Sequence, residues 1–195
     1  QSVPVQGAMD SSDGSFTNLE LPRGISISIP AHWTILSKDD LLNLGAATES
    51  ISPASDNGKE ALLAVNSSPE PHGAQLRISI TSPLPYSKDD LLKMTPSDLK
   101  LVSDGLLSSF KALEDKGGIH VLEMYDSTIE QIDGHAALHM SYLRSSMNEG
   151  PNWRVEQYKI PVSDHLVELT LSYRDSERSL WQPILTRSMH SLSVS

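Results

Sequence analysis

The chain has 195 residues, of which 38 % are hydrophobic and 21 % are charged, and its formal net charge at pH 7 is −10. This composition is typical of one folded globular domain and argues against an intrinsically disordered chain. The negative charge disfavours nucleic acid as a partner because it repels phosphate groups, and the absence of cysteine excludes disulfides, thiolate metal sites and a cysteine nucleophile.

The first fifteen residues are rich in small and polar types and contain little apolar material. They predict a flexible tether at 1–15, followed by a single domain at 16–195. Because the chain begins with Gln1 rather than methionine, we expect either a processed precursor or an artificially trimmed chain, from which a signal segment has been removed. No apolar run approaches the length of about 20 residues that crosses a membrane. We therefore expect a periplasmic or secreted protein without membrane insertion, with any lipid anchor attached upstream.

Several short strands are predicted in the first half of the domain. Residues 16–21 form a candidate strand, and the segment 25–29 (ISISI) alternates strictly before Pro30 ends it. Residues 60–66 and 75–82 predict a strand pair. In the second of these strands, Arg77 lies opposite the apolar side chains.

The hexapeptide SKDDLL occurs at 37–42 and again at 87–92. The similarity does not extend beyond these six residues, which argues against a duplicated module. In each copy the serine suits the N-cap of a helix and the second aspartate suits position N3, so the repeat predicts two helix starts. The functional alternative is a pair of acidic metal sites, although the spacing matches no calcium loop.

The longest helix is predicted to follow Thr95, which is a suitable N-cap with Pro96 in the first turn and Asp98 at N3. An apolar stripe then recurs at helical spacing, formed by Leu99, Val102, Leu106, Phe110 and Leu113. Such a helix must pack on an apolar surface, which the predicted strands supply.

The second half of the domain predicts a series of strands and a final helix. The strands are expected at 119–132 (whole, or in two halves around Asp126-Ser127), 135–144, 153–160 and 165–174, with Asp133-Gly134 as a hairpin turn. A helix is predicted from Asp175 or Ser176 onward. Short turns between successive strands indicate an antiparallel meander, and the element order indicates the α+β class. We expect the apolar positions of the strands to face the long helices.

This pattern resembles the PsbP-like fold family, which includes small bacterial envelope lipoproteins of the DcrB type. The resemblance spans about 16–194 and consists of the Pro-x-x-Trp corner in GISISIPAHW, the Asp-Gly turn in IDGHAALHMSY, the segment WRVEQYKIPV and the ending HLVELTLSYRDSERSLWQPILTRSMHSLSV. It implies a central antiparallel sheet flanked by helices, an α/β/α sandwich. It also implies protein or ion binding rather than a shared enzyme activity.

No catalytic, metal or cofactor site is predicted. The sequence contains no G-x-S-x-G, H-E-x-x-H or P-loop motif. His135 and His139 share one side of a predicted strand, but four residues at about 3.3 Å each separate them too widely for one metal centre.

The polar positions of the strands are the candidate site. If all of them share one face of the sheet, that face and the loop 45–59 form a groove for a protein partner. Trp153 and Tyr158 are the candidate aromatic anchors. The proposed partner-binding residues are Arg77, His135, His139, Trp153, Tyr158 and Glu168.

The functional prediction is therefore a non-catalytic exported protein that binds another protein in the bacterial envelope. Two alternatives remain open at this stage. One is an immunity-type protein that blocks a secreted effector, and the other is a metal-dependent periplasmic hydrolase that uses the histidines or the paired aspartates.

Overall fold

The computed structural model describes residues 15–36, 58–68, 73–116, 119–146 and 149–195. Their strands are β1 (Phe16–Leu21), β2 (Ile25–Pro30), β3 (Thr34–Ile35), β4 (Lys59–Asn66), β5 (Ala74–Thr81), β6 (Val121–Met124), β7 (Thr128–Ile132), β8 (His135–Arg144), β9 (Trp153–Val162) and β10 (His165–Arg174). Their α-helices are α1 (Lys88–Leu92), α2 (Pro96–Glu114) and α3 (Arg178–His190). These elements confirm the predicted α+β class.

All of the described strand pairs are antiparallel. The large sheet has the order β3-β4-β5-β10-β9-β8-β6, and β7 pairs with the first half of β8. Strands β1 and β2 form a separate hairpin. The neighbours β8, β9 and β10 confirm the predicted meander, and β5 joins it by pairing with β10.

The sheet separates two apolar layers. On one face, the β1–β2 hairpin and α3 cover a large core that includes Leu76, Ile78, Val167 and Leu169. On the other face, α1 and α2 cover smaller cores, which include Tyr142 packed against Phe110. This arrangement confirms the expected sandwich. The two long helices, α2 and α3, lie on opposite faces of the sheet, so they do not cover the same apolar layer.

Local sequence signals account for the ends of the elements. Ser87 and Thr95 both form capping boxes, in which the side chain accepts from the N3 amide and the N3 aspartate accepts from the cap amide. The turn residues Asp133 and Gly134 have φ angles of 51° and 75°, which suit the tight β7–β8 hairpin. Trp33 is buried and meets Trp181 of α3 edge-on, at 5.9 Å between ring centroids.

The expectation that the polar strand positions share one face is wrong. Residues directly opposite each other in a ladder share a face. Glu168 pairs with Lys159, which pairs with Leu138, so the apolar side of β8 lies on the face of Glu168. His139 pairs with Tyr158 and therefore lies on the other face. Because both faces carry an apolar layer, the apolar side of β8 turns toward α2 and that of β10 turns toward α3.

Parts of the predicted organisation lie outside the described residues. These are the tether apart from Ser15, the first SKDDLL copy at 37–42 and the loop 45–59 up to residue 57. Within the described ranges, no helix combines the length and apolar character needed to cross a membrane.

Candidate functional site

One half of the α2-facing side of the sheet is polar. We call it the polar half-face, and it consists of Gln75, Arg77, Ser79 and Thr81 of β5, Glu168, Thr170 and Ser172 of β10, and Gln157 and Lys159 of β9. On this side of the sheet, α1 and α2 contact mainly β6, β8 and β9. The apolar half therefore lies under α1 and α2, and the polar half lies beside them, with its side chains buried or half-buried.

Positive charge predominates on this side of the sheet. The register places five cationic strand residues there, which are Lys59, Arg77, Arg144, Lys159 and Arg174. Glu168 is the one acidic strand residue that the described ladders place on the same side. A local cationic surface is unusual in a chain whose formal net charge is −10.

Glu168 lies at the centre of an ion-pair cluster. Its Oε1 atom is 3.8 Å from Nζ of Lys59 and 3.6 Å from Nζ of Lys159, and its Oε2 atom accepts a hydrogen bond from the Thr81 hydroxyl. The residue is 9 % exposed. Glu168 is therefore already neutralised within the fold, and it organises the lysines rather than offering a free carboxylate.

Arg77 and Arg144 are in a different electrostatic position. Within the described part of the chain, neither guanidinium has a carboxylate within 4 Å, and Nη2 of Arg77 donates instead to Oε1 of Gln75 at 3.2 Å. Burial, together with the charge of Arg144, lowers the pKa of Arg77 to about 10. Burial also lowers the pKa of Arg144. Removing a cation from water without a counter-ion is unfavourable, so an anion would stabilise this pair.

Trp153 supports Arg144. The guanidinium of Arg144 lies 5.6 Å from the centre of the Trp153 ring, and Trp153 itself is 8 % exposed. A side chain so deeply buried does not extend outward as an interface anchor, contrary to the sequence-based expectation. It positions the charged end of Arg144 on the same side as Arg77.

His139 and Tyr158 form a separate cluster on the opposite face. Their rings stack at 4.5 Å between centroids, and Nε2 of His139 lies 3.1 Å from Oε1 of Glu156. The Tyr173 hydroxyl donates to the other oxygen of Glu156 at 3.4 Å. Tyr158 is 8 % exposed, so it too is a supporting residue rather than an exposed anchor.

The order Glu156, His139, Thr128 resembles a hydrolytic triad because Nδ1 of His139 is 3.3 Å from the Thr128 hydroxyl. Thr128, however, donates its single proton to Oε2 of Glu130 at 2.7 Å. A hydroxyl proton that is directed at a carboxylate is not available to the imidazole, so this contact does not activate a nucleophile.

His135 belongs to neither cluster. Its Nδ1 atom is 2.9 Å from the carbonyl oxygen of Asp133, within the β7–β8 turn. Across the described ranges, no three histidine, aspartate or glutamate side chains lie close enough together to hold one metal ion.

A cleft of about 660 Å³ lies between α2 and the β6–β7 connection. Its charged lining includes Lys100 and Asp104, which pair with each other at 2.7 Å, and beside it the Ser103 and Ser127 hydroxyls bond at 2.7 Å. These four groups are already paired with one another, and Asp126 also lines the cleft.

Sequence reasoning identified Arg77 and Glu168 but missed their neighbours. Lys159 was detectable as a polar position of the strand predicted at 153–160. Lys59 was not, because it fell at the end of the predicted loop 45–59, just before the strand predicted at 60–66, whereas the observed strand begins at Lys59. Arg144 is the last residue of β8, and the other residues on its side of that strand are apolar. The sequence pattern therefore marked it as the end of a strand and not as part of a polar site. Tyr86 precedes α1 and packs against the apolar core that contains Leu138 and Met140, on the same side of the sheet as Glu168. Burial and the charge of Glu168 raise its pKa.

No family model and no curated protein matches this sequence. Solved structures do match its fold. Cyanobacterial PsbP (CyanoP) from Synechocystis sp. is 12 % identical, with a TM-score of 0.56 over 93 % of this chain and 93 % of that chain. LpqN of Mycobacterium tuberculosis, a protein involved in cell envelope biogenesis, is 14 % identical over 95 % of each chain, but its TM-score of 0.46 is too low to support an argument.

A Bacteroides thetaiotaomicron protein is 10 % identical, with a TM-score of 0.51 over 91 % of this chain and 48 % of that chain. The present chain therefore spans about half the length of that protein. At such identities the matches concern the fold alone. The sheet between two helical layers and the likeness to cyanobacterial PsbP show that this chain adopts the PsbP-like fold.

Proposed function

We propose that this chain is a non-catalytic binding protein and that its polar half-face receives a segment of another protein. The observation that supports this most directly is the incomplete hydrogen bonding on this side of the sheet. Oδ1 of Asn66, the Tyr86 hydroxyl and Nε of Arg144 are buried and have no hydrogen-bond partner within the described chain. Buried polar groups without partners are costly, so a partner segment that displaced the groups covering these atoms would gain hydrogen bonds on this side of the sheet.

The shape of this surface supports a peptide-like occupant. Strands β5 and β10 present polar side chains at every second residue, with Ser79 next to Glu168 and Arg77 next to Thr170. That repeat is about 6.8 Å, which is also the side-chain repeat of an extended chain. The helices α1 and α2 form a wall along one side of this surface.

The contacts of His139 favour binding over catalysis. The arrangement of Glu156, His139 and Thr128, which resembles a triad, directs the Thr128 proton away from the imidazole. Across the described ranges, no three histidine, aspartate or glutamate side chains lie close enough together to hold a metal ion, so these residues give no support to the metal-dependent hydrolase.

We propose that the protein acts in the bacterial envelope, as the resemblance to envelope lipoproteins suggests. The absence of cysteine is compatible with an oxidising compartment. Fractionation of cells that produce the natural precursor would test this: recovery in the cytosol would contradict the assignment.

Site-directed cross-linking tests the binding surface. The chain has no cysteine, so one introduced cysteine is a unique attachment point for a photoreactive maleimide. Thr170→Cys and Ser79→Cys place the probe on the polar half-face, and Thr17→Cys places it on an exposed position of β1 as the matched control. We expect one defined protein to be cross-linked from the first two positions and not from the third.

The identified protein is then purified, and its affinity is measured for the unmodified chain and for Thr170→Glu. An affinity that Thr170→Glu does not change, or cross-linking that is equally efficient from Thr17→Cys, would contradict binding at the polar half-face.

A further inference from the structure

We propose that the outer edge of the sheet at β6 and β7, together with the cleft beside α2, binds an extended basic segment of another protein as an additional strand. We call this surface the β6–β7 edge. It is separate from the polar half-face, and the inference does not rest on the proposed function. It depends on the backbone groups of the edge, on how the cleft is held, and on the charges beside it.

The first step is the backbone of β6. β6 and β7 lie end to end along β8, and among the described strands neither has a neighbour on its other side. The amide of Tyr125 donates to the carbonyl oxygen of Ser141 at 3.0 Å. Residues of an antiparallel strand direct their N–H and C=O groups alternately toward the partner and away from it. The backbone groups of Met124 therefore point outward.

The same alternation applies to β7. The two-residue turn makes Ile132 and His135 the hydrogen-bonded pair that closes the β7–β8 hairpin. Ile129 and Gln131 therefore direct their backbone groups away from β8. Two such residues are about 6.8 Å apart, which is the interval at which an added strand forms its hydrogen bonds.

The second step is the cleft of about 660 Å³ between this edge and α2. Ser103 of α2 connects its two walls, because its hydroxyl oxygen accepts from the Ser127 amide at 3.1 Å and lies 2.7 Å from the Ser127 hydroxyl oxygen. Both serines are buried. The half-buried side chains of Leu107 and Met124 add apolar lining. A docked strand would direct alternate side chains into this preformed space.

The third step is the charge of the edge. The stretch 121–132 contains Glu123, Asp126 and Glu130 but no lysine, arginine or histidine. All three acidic residues are exposed. In the part of the chain that the structure describes, no cationic side chain lies within 4 Å of their carboxylates. Lysine or arginine side chains on a partner would complement this charge.

Two cations close to the edge are already engaged. Lys100 pairs with Asp104 at 2.7 Å, and the guanidinium of Arg154 lies 4.1 Å from the centre of the Tyr125 ring. Neither of them is paired with the acidic residues of the edge, which therefore remain available to a basic ligand.

The fourth step is the choice of a basic segment over a second copy of this chain. Two copies joined through this edge would bring the same acidic residues together, and like charges across a ladder destabilise it. Glu130 lies on the face of Ala137 and Met124 lies on the face of Tyr142, which are opposite faces of β8. We therefore expect a segment that alternates basic residues, on the face of Glu130, with apolar residues that enter the cleft.

Titration calorimetry on the full chain tests the inference with synthetic peptides. The basic probe is a hexapeptide of alternating lysine and valine, and the acidic probe has glutamate in place of lysine. Two further versions of the basic probe are N-methylated, one at its lysine amides and the other at its valine amides. Alternate amides of a strand point to opposite sides, so only one of these two sets can bond to the edge.

We expect the basic probe to bind and the acidic probe not to bind. One N-methylated version should bind at least about tenfold more weakly, because it loses the donors that face the edge, and the other should keep its affinity. Amide hydrogen exchange should slow at Met124, Ile129 and Gln131 when the basic probe is bound.

Charge variants give a second readout. The combined variant Glu123→Gln, Asp126→Asn and Glu130→Gln should bind the basic probe about tenfold more weakly. The matched control, Glu20→Gln with Asp89→Asn and Asp164→Asn, removes the same number of exposed carboxylates elsewhere and should bind it unchanged. The thermal unfolding midpoint of each variant is measured so that loss of folding is not mistaken for loss of a contact.

Four results would overturn the inference. If the basic probe does not bind, the acidic residues only protect an exposed edge against aggregation. If both N-methylated versions keep their affinity or lose it equally, the segment does not pair with the edge. An equal loss in the control variant would show that overall charge attracts the probe. Loss of binding in Thr170→Glu would place the probe on the polar half-face, which would remove this inference and leave the proposed function standing.

Discussion

Nε2 of His139 lies 3.1 Å from Oε1 of Glu156, and the two residues are brought together across the β8–β9 ladder although they are seventeen positions apart in sequence. The two side chains are 17 % and 16 % exposed. This half-buried contact connects the fold to pH, because it stabilises the ionised carboxylate.

We predict that the contact contributes to acid sensitivity. Burial raises the pKa of Glu156, but the hydrogen bond and charge of His139, with smaller contributions from Arg154 and Tyr173, outweigh it, so the pKa is lowered from its ordinary value of 4.5. A carboxylate with a lowered pKa contributes stability above its unfolded value and loses that contribution as pH falls through the folded value. His139→Gln should therefore flatten the decline in the free energy of unfolding below about pH 4.5. Urea denaturation from pH 3 to pH 7 measures this, and an unchanged slope would contradict it.

A second prediction concerns the cost of the cationic pair. Because burial lowers the pKa of Arg77, the charged guanidinium is less stable in the folded chain than in water. Arg77→Gln should raise the free energy of unfolding by about 1 kcal/mol. Arg154→Gln removes a cation–π contact instead and should lower it by about 0.5 kcal/mol. Denaturant unfolding curves measure the change in the free energy of unfolding for both variants. A decrease for Arg77→Gln would contradict the prediction and would show that Arg77 stabilises the fold.

The Glu168 cluster should have the opposite response. Glu168→Gln leaves Lys59 and Lys159 close together without an anion, so we expect a loss of about 2 kcal/mol. The comparison is the exposed pair of Lys100 and Asp104, which is shorter at 2.7 Å. Asp104→Asn should cost much less than Glu168→Gln, because solvent screens that exposed pair. Equal losses would contradict the role of burial in this argument.

Two glycines form a matched test of backbone conformation. Gly134 has a φ of +75°, where a Cβ is strained, so Gly134→Ala should destabilise the fold by about 1 kcal/mol. Gly105 lies within α2, and an added Cβ there meets no atom within 4 Å. Gly105→Ala should stabilise the fold by about 0.8 kcal/mol. Thermal unfolding distinguishes the two, and a shift in the same direction for both would contradict the assigned turn.

The capping box of α2 provides the last prediction. Thr95→Ala removes the acceptor for the Asp98 amide and should cost about 1 kcal/mol. The hydrogen bond from the Thr95 amide lowers the pKa of Asp98, so the stabilising effect of this carboxylate is present above its ordinary pKa of 3.8 and is lost as pH falls below that. Asp98→Asn should therefore remove that part of the acid dependence. Helical circular dichroism followed during acid titration measures the change.

Several elements were predictable because their signals are local. The bounds 135–144 and 165–174 were correct as read from alternation alone, and the Thr95 capping box was readable from three residues. The terminal helix was less accurate: it begins at Arg178, after a 3-10 turn at Asp175–Glu177. No side chain caps the N-terminus of this helix, so no local sequence signal marked the residue at which it begins.

The amino-acid sequence by itself determined most of the described strands and helices, the antiparallel order of the last strands and the resemblance that points to the fold. Only the tertiary structure decided which side of each strand faces which helical layer. Alternation separates the two sides of one strand, but it does not relate the sides of different strands when both faces of the sheet are covered by apolar layers. The ladder register therefore decided that Arg77 and Glu168 lie on one face and His135, His139 and Tyr158 on the other.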